Sequence, residues 1–232
     1  MGEVWFQGFI MVVKYLDYTY EVNDSFATSI PTGQSQPYTG ELNIIRRYLG
    51  VYPEKNRRFL DIGGHIGTYC IPLSVLYSEV FSYEPNPDTF CLLNKNILMN
   101  NIKNVHIFNC AVGSHGENVN IMRHGNNSGC FTTYKDKVGS IKSIILDDIY
   151  KDDIDFIKID VEGSELDVLI GAADILKTSS PLLSIEINGL CEKLHGSNKK
   201  DIFTFLHNMD YDLYCQSNDY FFIHSKYLSK LR

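Results

Sequence analysis

The chain has 232 residues, 44% of them hydrophobic, with a formal net charge of −7. That length fits one domain with a full core, and the acidic balance argues against a nucleic-acid binder, which normally carries a basic face. No apolar run reaches the ~18–20 residues that span a bilayer, and no basic leader with a small-residue cleavage site opens the chain.

Residues 1–38 read as an N-terminal extension packing on a core domain of residues 39–232. Glu3 to Gly8 resembles a protease-tag site. Lys14 to Glu21 is strand-like, and the Pro, Gly and Ser of Pro31 to Pro37 favour a loop. Glu41 to Leu49 has helical apolar spacing at Leu42, Ile45 and Leu49. Strands and helices then alternate. Arg58 to Ile62 is a strand, Thr68 to Tyr77 a helix, Glu79 to Glu84 a strand, Asp88 to Met99 a helix and Val105 to Cys110 a strand. A hairpin-like region follows over Gly113 to Met122, then a loop rich in Asn, Ser and Gly from Arg123 to Gly129. Ile154 to Asp160 is a strand, Ser164 to Leu176 a helix, Leu182 to Ile187 a strand and Lys199 to Asn208 a helix. Tyr211 to Gln216 and Tyr220 to His224 flank Ser217-Asn218-Asp219 as a β-hairpin. This alternation predicts an α/β fold on a mostly parallel sheet, with an antiparallel last strand from the closing hairpin. None of the six cysteines forms C-x-x-C. Buried thiols in a reducing cytoplasm are expected, and no zinc site.

Phe59 to Tyr69 is the segment richest in function. An apolar strand ends in Asp61, turns through Gly63, Gly64 and Gly67, and enters a helix. Glycines let a backbone approach a ligand closely, although such a turn alone also fits an ordinary tight turn. Strand, Gly turn and helix in that order form the nucleotide-cofactor corner of a doubly wound fold. A carboxylate in the turn disfavours the pyrophosphate of a dinucleotide. It suits a cationic ligand such as S-adenosylmethionine (SAM), with its ammonium and sulfonium groups. Ligands collect at the carboxyl ends of parallel strands, and here those ends carry Asp61, Glu84, Asn109 with Cys110, Asp160 and Glu186. Glu84 can accept both hydroxyls of a ribose, stiffened by Pro85-Asn86-Pro87; the competing reading is a helix start capped by Asn86 or Asp88. In Ile157 to Glu165, strand alternation puts Lys158, Asp160 and Glu162 on one side, either as an ion pair that orders the loop or facing substrate or a divalent ion. His65 is a helix-start residue in the turn. His195 is a third-choice base. Tyr69 and Tyr83 are close enough to the turn to line a pocket.

Together these motifs resemble the FkbM-type family of SAM-dependent methyltransferases. The matching segments are Phe59 to Tyr69, Tyr83 to Pro87, Asn96 to Asn101, Asn109 to Gly113, Leu146 to Asp148, Ile157 to Glu165 and Pro181 to Glu186. Glu41 matches an acidic position ahead of the glycine motif. The chain departs in the turn, where the family usually has Ala-Asn in place of Gly64-His65. The resemblance implies a class I methyltransferase (Rossmann-like) fold and O-methylation of a hydroxyl on a sugar or glycan, a polyketide or another small molecule. It places Asp61, Gly63 and Gly67 at the methionine end of the cofactor, Glu84 at the ribose, and Asn109, Cys110 and Ala111 beside the adenine. Asp160 falls where methyl group and acceptor meet. A sugar hydroxyl needs a base or a metal to lower its pKa. Asp160 is the first candidate, as base or as Mg²⁺ ligand with Glu186, followed by Glu162. A SAM-fold module without activity and a methyltransferase for another small molecule are the alternatives.

Overall fold

The computed structural model describes residues 3–7, 10–15, 17–22, 39–50, 57–123, 131–135, 139–187 and 198–231. Three strands open the chain: β1 (Glu3–Gln7), β2 (Ile10–Tyr15) and β3 (Tyr18–Val22), paired antiparallel in that order. The strand expected over Lys14 to Glu21 is therefore two strands, turned at Asp17. Helix α1 (Thr39–Leu49) follows. The main sheet then begins with β4 (Arg58–Ile62), helix α2 (Cys70–Leu73), β5 (Glu79–Tyr83), helix α3 (Pro87–Met99) and β6 (Val105–Phe108).

Four strands branch off next: β7 (Ala111–Val112), β8 (Asn118–Arg123), β9 (Phe131–Lys135) and β10 (Ile141–Ile144). They form a separate small sheet in the order β7-β10-β8-β9. Helix α4 (Leu146–Ile149) returns the chain to β11 (Phe156–Ile159). Then come α5 (Glu165–Ile170), α6 (Ala173–Thr178), β12 (Leu182–Ile185), α7 (Lys199–His207), β13 (Tyr211–Gln216), β14 (Tyr220–His224) and α8 (Ser225–Leu231).

Among the described residues the main sheet has seven strands in the order β13-β14-β12-β11-β4-β5-β6. β6, β5, β4, β11 and β12 run parallel, and β14 is antiparallel to both its neighbours. The chain winds outward from β4 to β6, then restarts at β11 on the other side of β4. The strand order thus reverses between β4 and β11, the place where open α/β sheets form a ligand crevice.

Side-chain alternation divides the core in two. Phe59, Val80, Phe156, Leu182 and Phe221 face α1, α2, α3 and β3, with Phe59 stacked on Phe156 at 4.7 Å. Leu60, Ile62, Ile157, Ile159, Leu183 and Phe222 face the other way, onto α4, α5, α6 and α7. Among the described residues no helix is long and apolar enough to cross a membrane.

Three expectations are corrected. The helix over Thr68 to Tyr77 shrinks to α2 and a 3₁₀ turn at Ser74–Leu76. The Asn104 amide takes the carbonyls of Ser74 (2.8 Å) and Tyr77 (2.9 Å), which a longer helix would need for its own ladder. The helix over Ser164 to Leu176 breaks into α5 and α6 at Gly171, whose backbone lies against Gly113: a Cβ there would come within 2.1 Å of the Gly113 carbonyl oxygen. The region from Gly113 to Met122 is not a self-contained hairpin, because β8 pairs with β9 and β10 instead. The described part of the asparagine-rich segment is strand β8 up to Arg123; the rest of that loop lies outside the described residues.

Candidate active site

The glycine turn closes over the end of β5. Gly63 and Gly64 both donate their N–H to the Tyr83 carbonyl, at 2.9 and 3.0 Å. Gly63 has φ +88°, and a Cβ would sit 1.8 Å from the Asp160 carbonyl oxygen, so no other residue fits between β4 and β11 here. A Cβ on Gly64 would strike the Ser82 hydroxyl at 1.9 Å. His65 also holds a left-handed φ of 48° and donates its N–H to Glu84 Oε2 at 2.9 Å. Gly67 donates to Gly64 and accepts from Ile71, which starts α2.

Beneath the turn runs a polar row. Ser82, Asp61, Lys158 and Ser184 are direct register partners on β5, β4, β11 and β12, so their side chains share one face. All four are buried. Ser82 Oγ donates to Asp61 Oδ2 at 3.0 Å. Burial raises the Asp61 pKa to about 6, against the pull of Ser82, Lys158 and Cys70.

A buried ammonium costs several kcal/mol unless paired. Lys158 is 1% exposed and answers that cost with two carboxylates, Asp160 Oδ2 and Asp219 Oδ2, each at 3.1 Å. Its Nζ also lies 4.9 Å from the centre of the Tyr69 ring. Burial works against its charge, but Asp160 and Asp219 outweigh that and hold the pKa above the usual lysine range. Asp219 Oδ2 accepts from Ser184 Oγ at 2.5 Å and from Tyr69 Oη at 3.4 Å. Tyr69 Oη also reaches Glu41 Oε2 at 3.3 Å. Glu41 is fully buried, its Oε1 takes no hydrogen bond of normal geometry from the described residues, and burial then the Asp219 charge raise its pKa.

Asp160 leaves the end of β11 with a side chain 31% exposed. Burial pushes its pKa up, but Lys158 and a hydrogen bond from Glu186 bring it below the ordinary value. Glu186, just past β12, is pushed well up by the Asp160 charge, then by burial and by the same hydrogen bond. The pair thus splits in opposite directions, Asp160 down and Glu186 up. Glu162, at φ 54°, joins them: oxygens of Asp160, Glu162 and Glu186 lie within 4.8 Å of one another, a spacing that can hold a metal ion.

Glu84 sits past β5 and is buried, with Oε1 taking the Asn86 N–H at 2.8 Å and Oε2 that of His65. Asn86 also caps α3 through Asp88 N–H at 3.0 Å, after Pro85 and ahead of Pro87 at the first helical position. The cap and the bracing of Glu84 are thus both present. Burial moves the Glu84 pKa to about 7, against those two N–H groups. Asn109 is exposed and its amide braces the carbonyls of Glu84 (2.8 Å) and Pro85 (3.1 Å). Cys110 and Ala111 are buried. Beyond Ala111 a cavity of about 460 Å³ lies between the small sheet and α5, lined among others by His115, Glu117, Thr133, Ser164 and Asp167.

Tyr83 does not line the site as expected: its ring stacks on Phe108 at 5.1 Å and its hydroxyl meets that of Tyr150 at 2.6 Å. Tyr69 lies under the turn and bonds inward. His195 lies outside the described residues. Sequence reasoning missed Ser82, Ser184 and Asp219. The two serines carried a signal, since each lies two residues before the carboxylate that follows or ends its strand, where Lys158 and Asp160 show the same spacing.

The fold is shared with proteins of known structure. The FkbM methyltransferase of Methylobacillus flagellatus KT aligns with 76% of this chain and 48% of its own, at 20% identity and TM-score 0.52. A Streptococcus mutans protein described as a methyltransferase, solved in complex with S-adenosylhomocysteine (SAH), aligns with 82% of this chain and 97% of its own, at 13% identity and TM-score 0.51. The fold is that of the class I SAM-dependent methyltransferases. Residues 138–213 match the family model of the Methyltransferase FkbM domain. "Methyltransferase 1" of Beauveria bassiana (strain ARSEF 2860) is 25% identical over 144 residues, 50% of this chain and 58% of that protein. The resemblance to FkbM-type methyltransferases carried by the motifs is borne out. The chain spans about half to three-fifths of the length of these two FkbM-domain and curated relatives.

Proposed function

We propose that this chain is a SAM-dependent O-methyltransferase acting on a hydroxyl of a sugar or glycan. Support for the cofactor comes from charge. Beyond the Lys158 ion pairs with Asp160 and Asp219, the further acids Glu41, Asp61, Glu84, Glu162 and Glu186 are electrostatically linked to the same cluster, with His65 beside them. Such an excess of acid fits an ammonium and a sulfonium and repels a pyrophosphate. The close-packed glycine turn beside Glu84 suits a ribose laid along it.

The single observation that carries the reaction is the Asp160–Glu186 carboxyl pair at the switch point. When bound, SAM supplies a methyl group activated by its sulfonium, which leaves as the neutral thioether of SAH. Asp160, ionised and part exposed, accepts the hydroxyl proton as the acceptor oxygen takes the methyl carbon. Lys158 and the hydrogen bond from Glu186 steady its charge beforehand. The thiols of Cys70 and Cys110 are raised by burial, Cys110 to about 11, and are poor nucleophiles at neutral pH. A carboxylate base suits a hydroxyl, which must lose its proton, and sugars are among the hydroxyl acceptors that the FkbM resemblance implies.

The three-carboxylate spacing supports a second mechanism for the same reaction, in which Asp160, Glu162 and Glu186 hold Mg²⁺ and lower the pKa of the hydroxyl. One assay separates the two. With SAM and a panel of glycans, mass spectrometry should find one hydroxyl gaining one methyl group. Asp160→Asn should cut kcat by about 100-fold or more, in the range of general-base contributions, and leave SAM affinity nearly unchanged. EDTA should not matter to a carboxylate base and should abolish turnover by a metal site. Methylation of amines or nucleic acid with every sugar inert would sink the acceptor assignment.

A further inference from the structure

The geometry points to Asp219, in the β13–β14 turn, as a positioning residue that fixes Asp160 through Lys158. This rests on the reading of Asp160 as the group that meets the acceptor hydroxyl.

Lys158 cannot reach solvent, and its long side chain has two anchors at equal distance, 3.1 Å to Asp160 and 3.1 Å to Asp219. The two anchors differ in freedom. The Asp160 side chain is 31% exposed, at the open end of the crevice, whereas that of Asp219 is 5% exposed. Asp219 is the fixed end. Ser184 Oγ at 2.5 Å and Tyr69 Oη at 3.4 Å both donate to the Oδ2 that takes the ammonium. Its carbonyl also closes the turn by accepting from Ser217 N–H at 2.8 Å. The hairpin is itself pinned, because Phe221 pairs with Ser184 and Tyr220 with Ile185 on β12.

Sequence-distant elements thus converge on one ammonium: α1 and the glycine turn through Glu41 and Tyr69, β12 through Ser184, and the hairpin through Asp219. A turn needs none of this. Ser-Asn-Asp would form the same hairpin with the aspartate in water. Burying that carboxylate against a lysine is costly unless the placement has a use. With Asp219 in place, the ammonium is shared between two carboxylates, and the fixed one sets where it meets Asp160 Oδ2. Without it, the ammonium is free to follow Asp160 alone.

The test is a cycle of Asp219→Asn and Asp160→Asn in the full chain, with SAM affinity, kcat and Tm measured for each. Asparagine suits the same turn and keeps a carbonyl acceptor for Ser184. Asp219→Asn should lower kcat by about 10- to 100-fold, the cost of a misplaced catalytic group, with SAM affinity within about two-fold by the same argument. In the Asp160→Asn background the same change should cost less than about two-fold, because its effect runs through Asp160. Equal losses in both backgrounds, or parallel losses of kcat and SAM affinity, would overturn the inference in favour of a structural ion pair. Full kcat in Asp160→Asn would overturn the underlying reading of Asp160 instead. Should Asp219→Asn fail to fold, Ser184→Ala carries the same cycle, removing one donor to Asp219 while leaving the ion pair charged.

Discussion

Asp61 shows how a single side chain trades stability for a site. It is 1% exposed in β4, and burial lifts its pKa from 3.8 to about 6. The folded state therefore holds the proton more tightly than the unfolded chain does. Stability is highest below the unfolded value and falls as pH rises from about 4 through 6, by roughly 3 kcal/mol if the whole shift is expressed. Asp61→Asn removes that loss. Its amide oxygen still accepts from Ser82, and no ionisation remains. The variant should melt higher than the wild type at pH 8 and no higher at pH 4, while losing SAM binding. Parallel melting curves across that range would mean that Asp61 ionises freely in the folded protein. His65 makes a related point about the backbone. Its φ of 48° is a region that Asn and His enter more readily than other residues with a side chain. Histidine can thus stand where the family usually has asparagine, and the N–H still points at Glu84.

At the scale of elements, helix α3 acts as a surrogate strand for β3. Asn96 and Asn100 lie one turn apart, and their amides pair with the backbone at Glu21 and Thr19, two residues apart on the strand. Asn96 accepts from Glu21 N–H at 2.6 Å and donates to Glu21 O at 3.2 Å and Ile66 O at 2.9 Å. Asn100 accepts from Thr19 N–H at 2.8 Å and donates to Thr19 O at 2.6 Å. One fully buried amide thereby ties β3, α3 and the glycine turn together. Asn96→Ala should cost about 3 kcal/mol, since it strands three backbone groups, and should expose residues 18–22 to proteolysis at temperatures the wild type resists. A loss below about 1 kcal/mol would mean water replaces the amide. Asn96 to Asn101 stood out in the sequence as a family motif, but the sequence gives no hint that its partner is β3. The strand ends were legible for a different reason: in a parallel sheet, position along the chain decides which residues reach the crevice, so Asp61, Glu84, Asp160 and Glu186 could be placed by counting. Asp219 could not, because a turn signature explained it locally and its burial depends on where the hairpin docks. The break at Gly171 was hidden likewise, since the apolar spacing of Ser164 to Leu176 continues through it and only the approach of Gly113 stops the helix. The small sheet escaped because β7 is only two residues long and β10 pairs with strands distant from it in sequence.

For the molecule as a whole, the sheet gathers acids at one end and leaves them short of cations. Burial raises the Glu84 pKa to about 7 and the Asp160 charge raises that of Glu186 to about 9, so protons are available there near neutral pH, and burial shifts Glu41 in the same direction. A bound SAM would bring a sulfonium and an ammonium, and ribose hydroxyls that donate to an ionised Glu84. Each favours the charged carboxyl, so the bound-state pKa must fall. Binding then releases protons, and affinity must rise with pH between the bound and free values, up to about 7 for Glu84 and beyond it for Glu186. SAH lacks the sulfonium charge, so its affinity should climb less steeply than that of SAM. Calorimetry in buffers of different ionisation heats reads the proton release directly. The expected result is net release at pH 6.5–7 for SAM, smaller release for SAH, and a diminished release in Glu84→Gln. Proton uptake, or equal release for the two ligands, would mean that these carboxyls do not face the cationic end of the cofactor, and the charge argument for SAM would fail with it.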